Sequence, residues 1–287
     1  MQVISSIDAI KNQVVKLKKE GKKIGFVPTM GALHAGHISL INRAKKDCDV
    51  VICSIFVNPT QFNDPKDFEK YPQTINTDTA KLLKAKCHIL FLPTVAEMYP
   101  DGTAIKTQYD FGFIATTLEG AFRPGHFDGM AQIVGLLLQA VSPHRLYMGQ
   151  KDYQQAMICG ALIKLLKLKI ELIVCPIKRE KDGLAMSSRN IRLDPTARAM
   201  AVEIVKTLRA IQKMTAKARI EKELSVATIE KKALQRLTAH PHFKVEYIAI
   251  RNGKTLQPLK SINAETPIVA LIATWLAGVR LIDNRIV

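Results

Sequence analysis

The 287-residue sequence predicts an α/β fold: a Rossmann-like, doubly wound parallel sheet followed by a second, smaller α+β lid domain. Three observations carry that expectation. The first 177 residues alternate short β-branched runs with segments of helical period, the pattern of βα units around a parallel sheet. From Lys178 onward the alternation stops, giving way to an irregular basic stretch, two helical segments and then extended runs. The length also exceeds what one compact core usually holds. The expected division is 1–177 and 178–287.

The elements follow in chain order. The opening MQVISSIDAIKNQVVKLKKEG reads as an amphipathic helix, placed at about Ile7 to Lys19, rather than as a signal peptide. Strands are expected near Ile24 to Val27, Val50 to Phe56, Ile89 to Leu92, Arg145 to Met148 and Glu171 to Val174, each a short apolar run. Helices fall between them, near His37 to Lys46, Asn76 to Lys86, Asp128 to Val141 and Tyr153 to Leu166, and right-handed crossovers would wind them onto both faces of one sheet. In the second part, helices near Pro195 to Thr215 and Ser225 to His240 precede extended runs at Phe243 to Ile250 and Pro267 to Trp275. No internal repeat or low-complexity segment interrupts this order.

Composition excludes several classes. No segment approaches the roughly 18 consecutive apolar residues of a membrane span, so a soluble, cytoplasmic protein without a membrane partner is expected. Cys48, Cys53, Cys87, Cys159 and Cys175 are odd in number and form no C-x-x-C pair, which argues for buried thiols rather than disulfides or zinc. The net charge is +17. Residues 1–177 hold 21 Lys and Arg against 15 Asp and Glu, or +6, and residues 178–287 hold 21 against 10, or +11. Much of the second excess lies on helical segments such as Lys231-Lys232-Ala233-Leu234-Gln235-Arg236 without interleaved aromatics. A solvated lysine face explains it better than a nucleic-acid surface, with a basic lid over an anionic substrate as the functional alternative.

The stretch Pro28-Thr29-Met30-Gly31-Ala32-Leu33-His34-Ala35-Gly36-His37 occupies the first full βα loop, where an open α/β sheet brings phosphate to a helix N-terminus. Gly31 and Gly36 allow close approach of the chain to a ligand. If the helix begins near Ala35, His34 and His37 lie one turn apart and face the same phosphate.

This loop resembles the H-x-G-H signature of the nucleotidylyltransferase superfamily. Four further motifs narrow the resemblance: Ser54-Ile55-Phe56-Val57-Asn58-Pro59-Thr60-Gln61-Phe62, Phe122-Arg123-Pro124-Gly125-His126-Phe127-Asp128-Gly129, Met148-Gly149-Gln150-Lys151-Asp152-Tyr153-Gln154-Gln155 and Arg179-Glu180-Lys181-Asp182-Gly183-Leu184-Ala185-Met186-Ser187-Ser188-Arg189-Asn190. With the ending Arg280-Leu281-Ile282-Asp283-Asn284 they span nearly the whole chain, and in this order they resemble the pantothenate synthetase family. The resemblance implies an AMP-forming carbon–nitrogen ligase of coenzyme A biosynthesis that joins pantoate to β-alanine through a pantoyl adenylate, with ATP and Mg2+, as a homodimer.

A carboxylate attacking the α-phosphate of ATP brings anion to anion, so catalysis there rests on positioning and charge neutralisation. His34 and His37 would supply imidazole N–H donors, Lys151 a movable charge, and Ser187, Ser188 and Arg189 hydroxyls and a guanidinium. The resemblance implies ATP binding by Met30, Gly31, Ala32, Leu33, His34, Ala35, Gly36 and His37, by Gly149, Gln150, Lys151 and Asp152, by Lys178, and by Met186 to Arg189. It places pantoate or β-alanine on Gln61 and Gln155, while Asn58 and His126 join them as candidate pocket residues and Asp78 is a candidate magnesium carboxylate.

Structural readings stand beside several of these. Phe56 to Phe62 is either a turn after a strand or a pocket for a polyol carboxylate. Asp152 could cap the helix at Tyr153 and leave Lys151 a surface charge, His126 could be a loop histidine bonding backbone, and Asp78 could merely begin a helix. The segment 179–190 is either a charged linker or a lid that closes over the nucleotide and excludes water. Gln150 stands where many family members have glutamate, and Lys178 where an apolar residue is usual. A class I aminoacyl-tRNA synthetase shares the H-x-G-H loop but would need an RNA-recognition surface not evident here, and a non-enzymatic nucleotide- or RNA-binding module would leave the ordered motifs unexplained.

Overall fold

The computed structural model describes every residue except 63–67, 106, 222–223 and 264. The chain divides into two units, Met1–Pro176 and Ile177–Val287. In the first, six strands form one sheet: β1 Gln2–Ile4, β2 Ile24–Thr29, β3 Val50–Ile55, β4 Ile89–Phe91, β5 Arg145–Gly149 and β6 Glu171–Cys175, in the order β1-β4-β3-β2-β5-β6. Every pairing is parallel, so both faces must be covered. Successive strand residues feed two cores. Phe26, Ile52, Phe91 and Leu146 pack with helices Ile7–Lys19, His126–Val141 and Tyr153–Leu165, whereas Val27, Val51, Leu90 and Tyr147 pack with helix Ala35–Asp47 and with Leu82 of helix Ile75–Lys84. The chain builds from β2 to β4 on one side of the sheet and returns to place β5 and β6 on the other. The switch point therefore lies between β2 and β5, where open α/β sheets hold ligands.

Sequence reasoning missed three short helices, Val95–Met98, Phe113–Thr116 and Glu119–Phe122, because four residues are too few to show a period. It also missed β1, whose three residues gain strand character only by pairing with β4 at the sheet edge. Helix Ala35–Asp47 starts two residues before the expected His37, and helix His126–Val141 two before Asp128. All five cysteines are buried and free, and among the described residues no helix is long and apolar enough to cross a membrane.

The second unit packs helices Pro195–Met200, Val202–Glu221 and Val226–Thr238 with an antiparallel sheet of β7 Phe243–Asn252, β8 Ile268–Leu276 and β9 Val279–Ile286. Ile204, Leu208, Ile211, Ile229, Leu237, Ile250 and Ile272 form its core. The single helix expected from Pro195 to Thr215 is interrupted at Ala201, and its second part runs on to Glu221. β9 was not expected as a strand, because Asp283 and Asn284 interrupt its apolar pattern. Both are buried, and Asp283 sits there paired with Arg179.

Candidate active site

Loops leaving β2, β3 and β5 emerge side by side, since these strands are neighbours in the order β3-β2-β5. The β2 loop turns through two left-handed residues, Gly31 at φ +82° and Ala32 at φ +48°. This conformation stacks successive backbone N–H groups on one side, an anion-binding geometry. Here the anion is the protein's own. The Asp78 carboxylate, buried at 1% exposure, accepts from Ala32 N–H at 2.8 Å, from Leu33 N–H at 2.7 Å and from the Thr74 hydroxyl at 3.1 Å. Gly31 N–H goes to Thr29 Oγ1 at 3.2 Å. The N–H groups of Gly31, Ala32 and Leu33 are thus engaged by the protein's own side chains.

His34 is the N-cap of helix Ala35–Asp47, and its Nδ1 accepts from Gly36 N–H at 3.1 Å, while His37 Nδ1 accepts from His34 N–H at 3.3 Å. It is a capping box written with imidazoles in place of hydroxyl and carboxylate. A nitrogen that accepts a backbone N–H carries no proton, so each neutral ring is the Nε2–H tautomer and keeps Nε2–H as its donor. The rings lie 4.1 Å apart between centroids. Burial, with help from Lys151 and Lys81, lowers the His34 pKa to about 4; burial, the His34 ring and the same two lysines lower that of His37 to about 3. Both rings are uncharged near neutrality.

Lys151, in the 3-10 turn Gln150–Asp152 after β5, pairs with Asp152 at 3.3 Å and is largely covered. Asp152 stands at the N-cap position of helix Tyr153–Leu165 without a side-chain capping bond, so its carboxylate serves the lysine rather than the helix. The ammonium acts on both histidines and is not an idle surface charge. Gly149 and Gln150 are half-buried beside it.

After β3, Asn58 caps the 3-10 turn Pro59–Gln61 and is itself buried at 1% exposure. Its amide donates to Gln61 Oε1 at 3.2 Å and to Gly129 O at 3.1 Å, and Tyr99 donates its hydroxyl to Asn58 Oδ1 at 2.7 Å. Gly129 is required, since a Cβ there would stand 2.2 Å from Thr60 O. Gln61 Nε2 lies 2.8 Å from Met30 Sδ, tying the β3 loop to the β2 loop. His126 donates from Nδ1 to Gln61 O at 2.9 Å, because a carbonyl can only accept, and its Nε2 accepts from Arg123 at 3.1 Å. His126 through Nδ1 and Arg123 through its guanidinium both bond Gln61 O, so turn and pocket readings of this segment merge: Asn58, His126 and Arg123 position Gln61. Gln155 is half-buried in the first turn of helix Tyr153–Leu165. Its neighbour Gln154 is the structural one, bonded to Glu119 N–H, Ile114 O and Thr117 O.

The remaining candidates belong to the second unit. Met186 N–H bonds Lys178 O at 3.0 Å, Arg179 bridges to Ala185, and Ser187 caps the 3-10 turn Ser188–Arg192 by accepting from Arg189 N–H at 3.3 Å. Asn190 closes the turn with a bond to Ala185 O at 3.0 Å. Arg179 pins this loop: it donates to Gly183 O, to both Asp283 oxygens at 2.7 and 3.0 Å and to Asn284 O. The Lys178 side chain is exposed.

Sequence reasoning missed Lys81, Arg123, Tyr99 and Thr74. Two carried a signal, because Lys81 lies three residues after Asp78 on one helix and Arg123 stands three residues before His126 in the same motif.

Comparison with known proteins places this architecture. The chain matches the Pantoate-beta-alanine ligase family over residues 2–286. It is 43% identical to a pantothenate synthetase of Porphyromonas gingivalis over 284 residues, 99% of this chain and 98% of that one, and 42% identical to one of Bacteroides fragilis with the same coverage. Among solved structures, pantothenate synthetase from Thermus thermophilus matches with a TM-score of 0.90 at 37% identity, covering 99% of both chains. A Francisella tularensis pantoate-beta-alanine ligase complexed with beta-gamma ATP and beta-alanine matches with a TM-score of 0.79 at 37% identity, over 100% of this chain and 97% of that one. With a family match across nearly its full length and relatives above 40% identity, the chain belongs to the pantoate-beta-alanine ligase, or pantothenate synthetase, family.

Proposed function

We propose that the protein ligates pantoate to β-alanine in two half-reactions at the β2, β3 and β5 loops. In the first, a pantoate carboxylate oxygen bonds to the α-phosphorus of ATP and the α–β phosphoanhydride bond breaks, releasing pyrophosphate. In the second, the β-alanine nitrogen bonds to the acyl carbon, the acyl–phosphate C–O bond breaks, AMP leaves and the amine loses a proton. The carrying observation is the pair of neutral imidazoles, each with Nδ1 occupied by a backbone N–H. Two Nε2–H donors with the Lys151 charge beside them suit oxygens whose charge grows during attack on phosphorus.

On this reading Met30 to His37, Gly149 to Asp152 and Lys178 take the nucleotide, and Met186 to Arg189 take its phosphates. Gln61 and Gln155 take pantoate, with Asn58 and His126 fixing Gln61. The lid reading of residues 178–287 is kept, with one refinement. Arg179 ties the 179–190 segment to β9, so the segment is an integral part of the second unit's fold rather than a loose strap. Magnesium would enter on the triphosphate and screen its charge. Among the described residues no three His, Cys, Asp or Glu side chains group together, and both Asp78 oxygens already accept hydrogen bonds. That donor set fits a cation carried by phosphate and water, with Asp78 shaping the loop. A cytoplasmic homodimer without nucleic-acid partners completes the reading.

Incubation with ATP, magnesium and pantoate alone should yield pyrophosphate and a species of the mass of pantoyl adenylate, and β-alanine should then release AMP and pantothenate. ADP and orthophosphate in their place would reject the mechanism. AMP formation without RNA also separates it from an aminoacyl-tRNA synthetase.

A further inference from the structure

Helix Ile75–Lys84 grips the β2 loop with two opposite charges. Asp78 holds the N–H groups of Ala32 and Leu33. Three residues on, and so on the same helical face, Lys81 places its ammonium 2.5 Å from Leu33 O. The Leu33 residue is therefore held at its N–H by a carboxylate and at its C=O by an ammonium, while its side chain is buried at 2% exposure. Its conformation needs such restraint. Ala32 sits at φ +48°, a left-handed state that strains a residue with a Cβ. The residue after Leu33 is His34, the N-cap whose backbone N–H fixes His37. Any drift of the Leu33 peptide moves both imidazoles.

We propose that Lys81 is a positioning residue for the adenylation step, acting through the Leu33 carbonyl to hold the His34–His37 pair in register. The inference deepens the function proposed above and rests on it for the kinetic part only. Lys81 also adds positive charge near both rings, since it contributes to keeping them unprotonated. Its grip differs from that of Lys151, which approaches from the β5 side and pairs with Asp152.

The test compares Lys81→Met and Lys81→Arg in the full-length protein by two readouts. Amide hydrogen exchange of residues 31–34 depends on the fold alone. It should accelerate about tenfold or more in Lys81→Met, with exchange in the sheet unchanged, and return toward the parent in Lys81→Arg. Single-turnover pyrophosphate release from ATP and pantoate should slow about ten- to a hundredfold in Lys81→Met with KM for pantoate little changed, and Lys81→Arg should recover most of the rate. Unchanged exchange at 31–34 overturns the grip whatever the activity, and faster exchange with a parental rate overturns its role in the reaction. Should Lys81→Met fail to fold, Lys81→Gln, which keeps a donor without the charge, carries the same comparison. If the parent itself releases no pyrophosphate, the functional reading fails, while the exchange result still decides the grip.

Discussion

His37→Ala lowers kcat for adenylate formation by about a hundred- to a thousandfold, with KM for ATP changing by no more than about threefold. The size follows from the role. A preorganised donor aimed at developing charge is worth more in the transition state than in the ground state, so its loss falls on kcat. The geometry explains why no neighbour compensates: the other imidazole is held by its own cap on Gly36 N–H and cannot serve both oxygens. Replacing His37 also leaves His34 N–H without the Nδ1 acceptor it now uses, so the His34 ring loses register as well. The double variant should then be little worse than either single one, as for groups acting as a unit. The pH profile carries the same signature. With the His34 pKa lowered to about 4 and that of His37 to about 3, both rings stay neutral as pH falls through the ordinary histidine range. Acid inactivation by these rings begins only as pH approaches the lowered His34 value, where a proton on Nδ1 would confront a backbone N–H. A kcat profile that falls with a midpoint near the ordinary histidine pKa of about 6.5 would contradict the assignment. So would a large rise in KM for ATP with kcat preserved.

Asp283→Ala destabilises the second unit by about 3 kcal/mol and disorders the 183–187 loop. The Asp283 side chain is 1% exposed and bonded through both oxygens to Arg179, and one of them also accepts Asn284 N–H at 2.7 Å. Breaking one side of such a pair leaves a guanidinium without its counter-charge. Because Arg179 is 20% exposed, water softens the loss, which places it at the lower end of the usual range for buried pairs. Urea unfolding followed through Trp275, which lies on β8 of the same sheet, reads the stability. A change below about 0.5 kcal/mol would show the pair to be a surface ornament.

The parallel sheet was legible because buried parallel strands write themselves as continuous β-branched runs: Val50 to Ile55 is buried at every position. The histidine loop was legible from its glycines and its place after β2. What stayed hidden depends on partners distant in sequence. β9 could not be read as a strand without Arg179, 104 residues earlier, to neutralise Asp283. The role of Asp78 was obscured because its ligands are backbone groups 45 and 46 residues away, and backbone acceptance leaves no mark on side-chain pattern. The chemical types at the site were readable, then, but the division between groups that face a ligand and groups that hold them was not. His126 and Asn58 both look like pocket residues by type, and each also makes a hydrogen bond to Gln61 that no side-chain pattern announces.

The most direct measurement is oxygen transfer from the acid to the nucleotide. With both carboxylate oxygens of pantoate carrying heavy oxygen, and with ATP, magnesium and β-alanine present, the adenylate route delivers one labelled oxygen to each AMP, since the acyl–oxygen bond is the one the amine breaks. Singly labelled AMP with unlabelled pyrophosphate is the predicted result. Unlabelled AMP, or label in orthophosphate accompanied by ADP, would contradict the account at its centre.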